Sequence, residues 1–324
     1  MQQLAVDTRG LAEPRPAAMP SGLWTAHSVA VRGLYALAAV GGGVLIAGFW
    51  NYKLVDGFGR GFVATNTIGN PDQLSTSFTS NGMLFGLVFA AVAGLAATFT
   101  ACNCVVFAML PGLACSTDRS ASRRAALKAL ARFAAGVLAV GILYGLYVGT
   151  LGSGATAFNG HRLPQAEIVF TTIGALMIVW SVVEFGFLQR VTDRVPAGFR
   201  AWASSPMTRA TVMGLMVGSF AVGRPYPVFR DLLTYAAASH SPLYGALVMG
   251  IQGLGQIALM TAIFLLVVWL FGARLARWVT EKPNQPALIT AIALMAGGSY
   301  FIFYWGIALV YHVGSWGFRL GLYS

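Results

Sequence analysis

The residues able to do chemistry gather in two apolar stretches. In the first, Cys102 and Cys104 flank Asn103, with Pro111 and Cys115 downstream. A Cys-x-Cys pair suits thiol–disulfide exchange, in which a thiolate attacks a disulfide sulfur. It also suits a soft metal ion such as Cu(I), which prefers thiolate ligands. Cys115 could resolve a disulfide with either. The competing reading is packing, since free cysteine behaves as a small hydrophobe. The second stretch holds Arg224, Pro225, Tyr226 and Pro227, then Arg230 and Asp231. A charge within a membrane segment costs about 2.5–3.5 kcal/mol and marks function by default. Arg224 and Asp231 are seven apart, so a continuous helix sets them on one face. That spacing predicts an internal ion pair, a clamp between halves of the molecule, with an anion or substrate site as the alternative.

Other polar residues read more simply. Glu184 suits an interfacial partner for Arg190 or another arginine of the segment that follows, and a proton relay is the alternative. His161, His240 and His312 are isolated near segment ends. Met213, Met216, Met249 and Met260 fit core packing better than copper ligation. Trp50, Tyr52, Tyr311 and Trp316 suit an aromatic belt at one membrane face. The chain contains no phosphate-binding Gly-x4-Gly-Lys-Ser/Thr, no His-Glu-x-x-His and no Cys-x-x-Cys-His.

The elements that position these residues follow from composition. Hydrophobic residues make up 57% of 324 and charged residues 10%, against roughly 25% charged in soluble domains. The net charge of +11 does not indicate nucleic acid, because the cations occupy gaps between apolar segments. A membrane span needs about 20 apolar residues. Candidates are 32–50, 83–113, 133–152, 167–188, 211–238, 243–272 and 287–314, an all-α polytopic membrane protein of about seven spans in the lipid bilayer. Three alternate gaps hold Arg119, Arg123, Arg124, Lys128 and Arg132; Arg190, Arg194, Arg200 and Arg209; and Arg274, Arg277 and Lys282. The remaining gaps and tail hold only Lys53, Arg60, Arg162 and Arg319. That alternation places the N-terminus in the cytoplasm and the C-terminus outside, in the cell's inner (plasma) membrane.

The expected organisation is a cytoplasmic tail (1–30), an added span (31–50), an outside loop (51–81), a three-helix repeat (83–188), a basic linker (189–210), a second repeat (211–314) and an outside tail (315–324). Three spans per repeat invert the second relative to the first. Each repeat opens on a span interrupted by proline, and matched interruptions point to a membrane binding site. Superposing Val106-Phe107 on Val228-Phe229 sets Cys102 opposite Arg224 and Cys104 opposite Tyr226.

Gly94 to Gly112 (GLAATFTACNCVVFAMLPG) and Gly223 to Gln256 (GRPYPVFRDLLTYAAASHSPLYGALVMGIQGLGQ) resemble the two motif regions of the DsbD/CcdA family of transmembrane thiol–disulfide electron carriers. The resemblance covers about 83–314 and implies one redox cysteine from each half. Here the second motif carries Arg224 at the cysteine position, and Thr100-Ala101 precedes Cys102 where Thr-Pro belongs. The leading expectation is therefore an accessory or structural subunit of a larger membrane complex, and not itself an enzyme. It would meet other subunits or a thioredoxin-like redox protein. The alternatives are a thiol–disulfide oxidoreductase using Cys102, Cys104 and Cys115, and a transporter of a soft metal ion or small solute. No cofactor is certain, and a soft metal ion is the candidate.

Overall fold

A computed structural model describes residues 28–99, 122–152, 162–281 and 284–323. All regular structure among them is helical. The principal helices are α1 (Val29–Gly48), α2 (Phe78–Ala97), α3 (Ser122–Leu151), α4 (Arg162–Phe185), α5 (Pro206–Gly223), α6 (Pro227–Ala237), α7 (Pro242–Glu281) and α8 (Asn284–Phe301), the last continuing as a π-helical stretch, Ile302–Ala308. Among the described residues six helices are long and apolar enough to cross a membrane, and the protein is an all-α polytopic membrane protein. The seventh expected span, 211–238, is the broken one. It forms α5 and α6, and neither piece meets both criteria alone.

The break has a chemical cause. Pro225 and Pro227 lack the N–H groups that would continue the helix. Arg224 turns extended (φ −70°, ψ 114°) and ends α5, and Pro227 opens α6. α2 bends at Gly82, whose φ of 70° suits glycine. There the hydroxyls of Tyr235 and Tyr244 donate to the Gly82 and Met83 carbonyls at 2.7 and 2.8 Å.

Backbone contact at glycines builds the bundle. A Cβ on Gly145 would strike the Gly245 carbonyl, and one on Gly245 the Gly145 carbonyl. Gly141 meets Met249 and Gly149 meets Ser241, so α3 and α7 run antiparallel. Gly174 and Gly298 approach reciprocally, while Ser181 donates to the Ala291 carbonyl at 2.7 Å, so α4 and α8 are antiparallel too. Lipid is as apolar as leucine, so van der Waals fit at small residues does much of the work of holding such helices together.

Two further interfaces are copies of one another. Gly94 of α2 fits against Gln252 and Gly255 of α7, and Gly214 of α5 against Phe133 and Gly136 of α3. Gly94 and Gly214 are 120 residues apart (214 − 94). Ala91, which faces Gly255, and Thr211, which faces Gly136, share that offset (211 − 91). Together with the antiparallel pairs, this makes α2–α4 and α5–α8 two halves related by an approximate twofold axis. The sequence signal is Val92-Ala93-Gly94-Leu95 against Val212-Met213-Gly214-Leu215. The Val-Phe superposition gave an offset of 122 (229 − 107) and is displaced by two residues from this packing register.

α1 lies outside both halves and packs on α8, where Gly43 meets Ala296 and Ser299. At its start, buried Arg32 donates to the Phe185 carbonyl at 3.0 Å, capping the C-terminus of α4 where Gly186 (φ 74°) ends it. At its far end, Trp50 packs edge-on to Tyr300, Trp316 to Phe49 and Phe303, and Tyr52 tilts against Phe318. Tyr311 is exposed. Met213, Met249 and Met260 are buried core, with Met216 packed against it.

The segment expected as an outside loop, 51–81, is built from short helical pieces. It forms Tyr52–Gly57, a π-helical Phe58–Thr65, Asn66–Ile68, Pro71–Leu74 and the start of α2. It folds back along α2: Gly59 fits against the Ala96 carbonyl and the Tyr226 hydroxyl, and Phe58 packs edge-on to Phe99 at 4.9 Å. Glycine at 59 is required by that approach.

A candidate functional site at the helix break

Arg224 stands where α5 ends. Its side chain is 2% exposed. The α5 C-terminus favours a cation because the last carbonyls point toward it. One guanidinium nitrogen donates to Gln256 Oε1 at 3.4 Å, and Gln252 donates to the same oxygen at 3.2 Å. Thr98 of α2 donates to the Gln256 backbone carbonyl at 3.1 Å. The break therefore opens into a buried polar group drawn from α2, α5 and α7, in the interface centred on Gly94.

The infolded segment supplies the acid. Asp56 lies within electrostatic reach of Arg224 and Tyr226. Burial pushes its carboxyl up to about 6, and the Arg224 charge opposes that rise. Arg60, four residues onward, ion-pairs with Asp72. Asp72, Arg230 and Arg60 lie near enough to act electrostatically on Asp231 of α6. Arg230 itself is exposed.

The expected pair between Arg224 and Asp231 does not form. The seven-residue spacing assumed one continuous helix, and Arg224-Pro225-Tyr226 interrupts it. Arg224 turns to Gln256, within electrostatic reach of Asp56. Pro225 and Pro227 act as helix breakers at this point. Glu184 does meet an arginine of the following segment: Arg209 bonds to its Oε1, which also accepts from Trp180 Nε1 at 3.0 Å. His240 (φ 50°) packs on Gly152, and the His312 carbonyl accepts from Arg319.

Cys102, Cys104, Pro111, Cys115 and His161 lie outside the described residues. Among the described residues, no group of three His, Cys, Asp or Glu could hold a metal ion. Reading the sequence missed Asp56, Asp72, Thr98, Gln252 and Gln256. Gln252 and Gln256 carried a signal: two amides four apart inside a long apolar helix must satisfy each other or a partner.

The fold and this site define a helical integral membrane protein with a polar group built into a broken span. The chain belongs to the family described as the cytochrome c biogenesis protein transmembrane region, which it matches over residues 88–300. No curated protein and no solved structure matches it.

Proposed function

We propose that this member of the cytochrome c biogenesis transmembrane family serves as an accessory, structural subunit of a larger membrane complex. The observation that carries the reading is Arg224, buried at the second repeat's helix break and bonded to Gln256. A guanidinium cannot relay a thiol exchange, because that step needs a thiolate. No cysteine occurs anywhere after Cys115. In the packing register of 120 residues, Arg224 corresponds in sequence to Cys104 (224 − 104), and we assign the family's first-repeat cysteine position to Cys104. The added α1, exposed along much of its length, and the basic alternation support an N-terminus in the cytoplasm of the inner membrane and a lateral face for other subunits.

Purification in mild detergent tests the reading. Stoichiometric membrane partners are expected, and they persist when Cys102, Cys104 and Cys115 are all replaced by serine. A chain that purifies alone as a stable monomer, or partners lost with the cysteines, would overturn it. Family membership favours a second reading, a thiol–disulfide carrier using Cys102, Cys104 and Cys115 with a thioredoxin-like partner. Thiol trapping in membranes separates the two. A cysteine that cycles between reduced and oxidised forms supports the carrier.

A further inference from the structure

The cations at one end of the bundle fall into two sets. α5 runs parallel to α3, since Gly214 meets Phe133 and Gly218 meets Val137. The start of α3, the end of the antiparallel α7 and the linker before α5 therefore share one face. Around the linker, Arg200 pairs with Asp193 and Arg209 with Glu184. Lys128 of α3 and Arg274 and Arg277 of α7 are exposed and enter no ion pair among the described residues. Beside them lies an apolar groove of about 530 Å³. Leu127 of α3 and Ala262, Leu265, Leu266 and Trp269 of α7 line it, with Phe264 of the apolar core behind them. Leu127, Leu266 and Trp269 are exposed. Arg277 is eleven residues beyond Leu266, three helical turns along the same face of α7. The apolar run of α7, Pro242–Phe271, covers 30 residues, more than the roughly 20 that a span needs. Arg274 is the first charged residue after it. The groove thus opens to hydrocarbon and ends at cations, where phospholipid headgroups lie.

We propose that the groove between α3 and α7 binds an anionic phospholipid, its acyl chain on Leu127, Leu266 and Trp269 and its phosphate against Lys128, Arg274 and Arg277. Charge complementarity selects this occupant. A zwitterionic lipid fills the same apolar space but brings an ammonium toward three cations that no carboxylate of the described residues balances. A partner helix would have to carry acidic residues at membrane depth, which is costly. Basic pockets between membrane helices suit anionic headgroups, and an indole such as Trp269 suits the level of the headgroups. No residue of the Arg224 group lines the groove, and the assignment does not depend on an accessory role.

Quenching by brominated lipids tests this. The full chain is placed in nanodiscs with a varied fraction of brominated phosphatidylglycerol or brominated phosphatidylcholine, and Trp269 emission is read as the difference from Trp269→Phe. The anionic lipid is expected to quench it with about fivefold higher apparent affinity. That preference should vanish when Lys128→Gln, Arg274→Gln and Arg277→Gln are combined, and also in Ala262→Phe, which fills the groove. It should persist in Arg194→Gln, whose cation lies in the linker on the same face. If the triple variant fails to fold, Arg277→Gln alone decides, with the preference expected to fall at least about twofold. Equal quenching by the two lipids in the unaltered protein, a preference that survives these charge substitutions or Ala262→Phe, or one lost in Arg194→Gln would each overturn the proposal.

Discussion

The interfaces around Gly94 and Gly214 have the same backbone geometry and different chemistry. At Gly214, α5 meets α3 through Phe133 and Gly136, and its neighbours Met213, Val217 and Phe220 belong to an apolar core with Phe133 and Val137. At Gly94, α2 meets α7 through Gln252 and Gly255, and Thr98, Gln256 and Arg224 add a buried polar group. The glycines set how closely the helices approach, and the side chains one turn away decide what the interface can do. An internal repeat can thus keep one packing solution twice while only one copy acquires a charged centre.

Five experiments can break or sharpen that contrast. Gly94→Leu and Gly214→Leu should be the most damaging and about equally so, because each new Cβ meets backbone that cannot yield. Overpacking costs of about 3 kcal/mol or more apiece are expected from thermal unfolding in detergent. If only one is harmful, the two interfaces are not copies.

Arg224→Met should cost about 2–4 kcal/mol, since it leaves Gln256 and Asp56 without their cation. The matched change Val217→Ala, in the apolar copy, should cost about 1–2 kcal/mol through cavity formation alone. A harmless Arg224→Met means that the polar group is not a clamp. A related test concerns register. In Arg224→Cys, mild oxidation should cross-link the new thiol in Cys102→Ser but not in Cys104→Ser, and the opposite result would support the 122-residue superposition.

Asp56 predicts the pH dependence. Its carboxyl holds a proton up to about 6 when folded, against about 3.9 in an unfolded chain. The folded state therefore binds the proton more tightly. Stability from this group is greatest below about pH 4 and is lost as pH rises through the window to about 6. The loss is at most about 3 kcal/mol. Asp56→Asn should flatten that slope in thermal melts and raise stability at neutral pH. A slope unchanged in the variant would remove Asp56 from the buried group.

The smallest effect belongs to Glu184 and Arg209, outside both glycine interfaces. The arginine is partly exposed, so Arg209→Gln should cost about 1 kcal/mol or less. A shift in Trp180 emission would report it, because Glu184 accepts from that indole.

The long apolar segments determined the helices and their approximate places, because hydrocarbon leaves a spanning backbone almost no other way to satisfy its hydrogen bonds. The prolines at 225 and 227 likewise determined the break, since each removes a donor wherever it sits. Family membership was legible in the two motif stretches. The partners of the charged residues were not. Arg224 and Gln256 are distant in sequence, and a polar stretch such as 51–81 looks like any solvated loop until it is seen folded along α2. The Gly94 and Gly214 contacts were illegible for a related reason: those glycines matter only once another helix backbone lies against them. Local chemistry wrote the elements and the break into the chain. Tertiary packing decided that Arg224 faces Gln256 in place of Asp231, because a broken helix redirects its side chains and close glycine contacts choose which helix receives them.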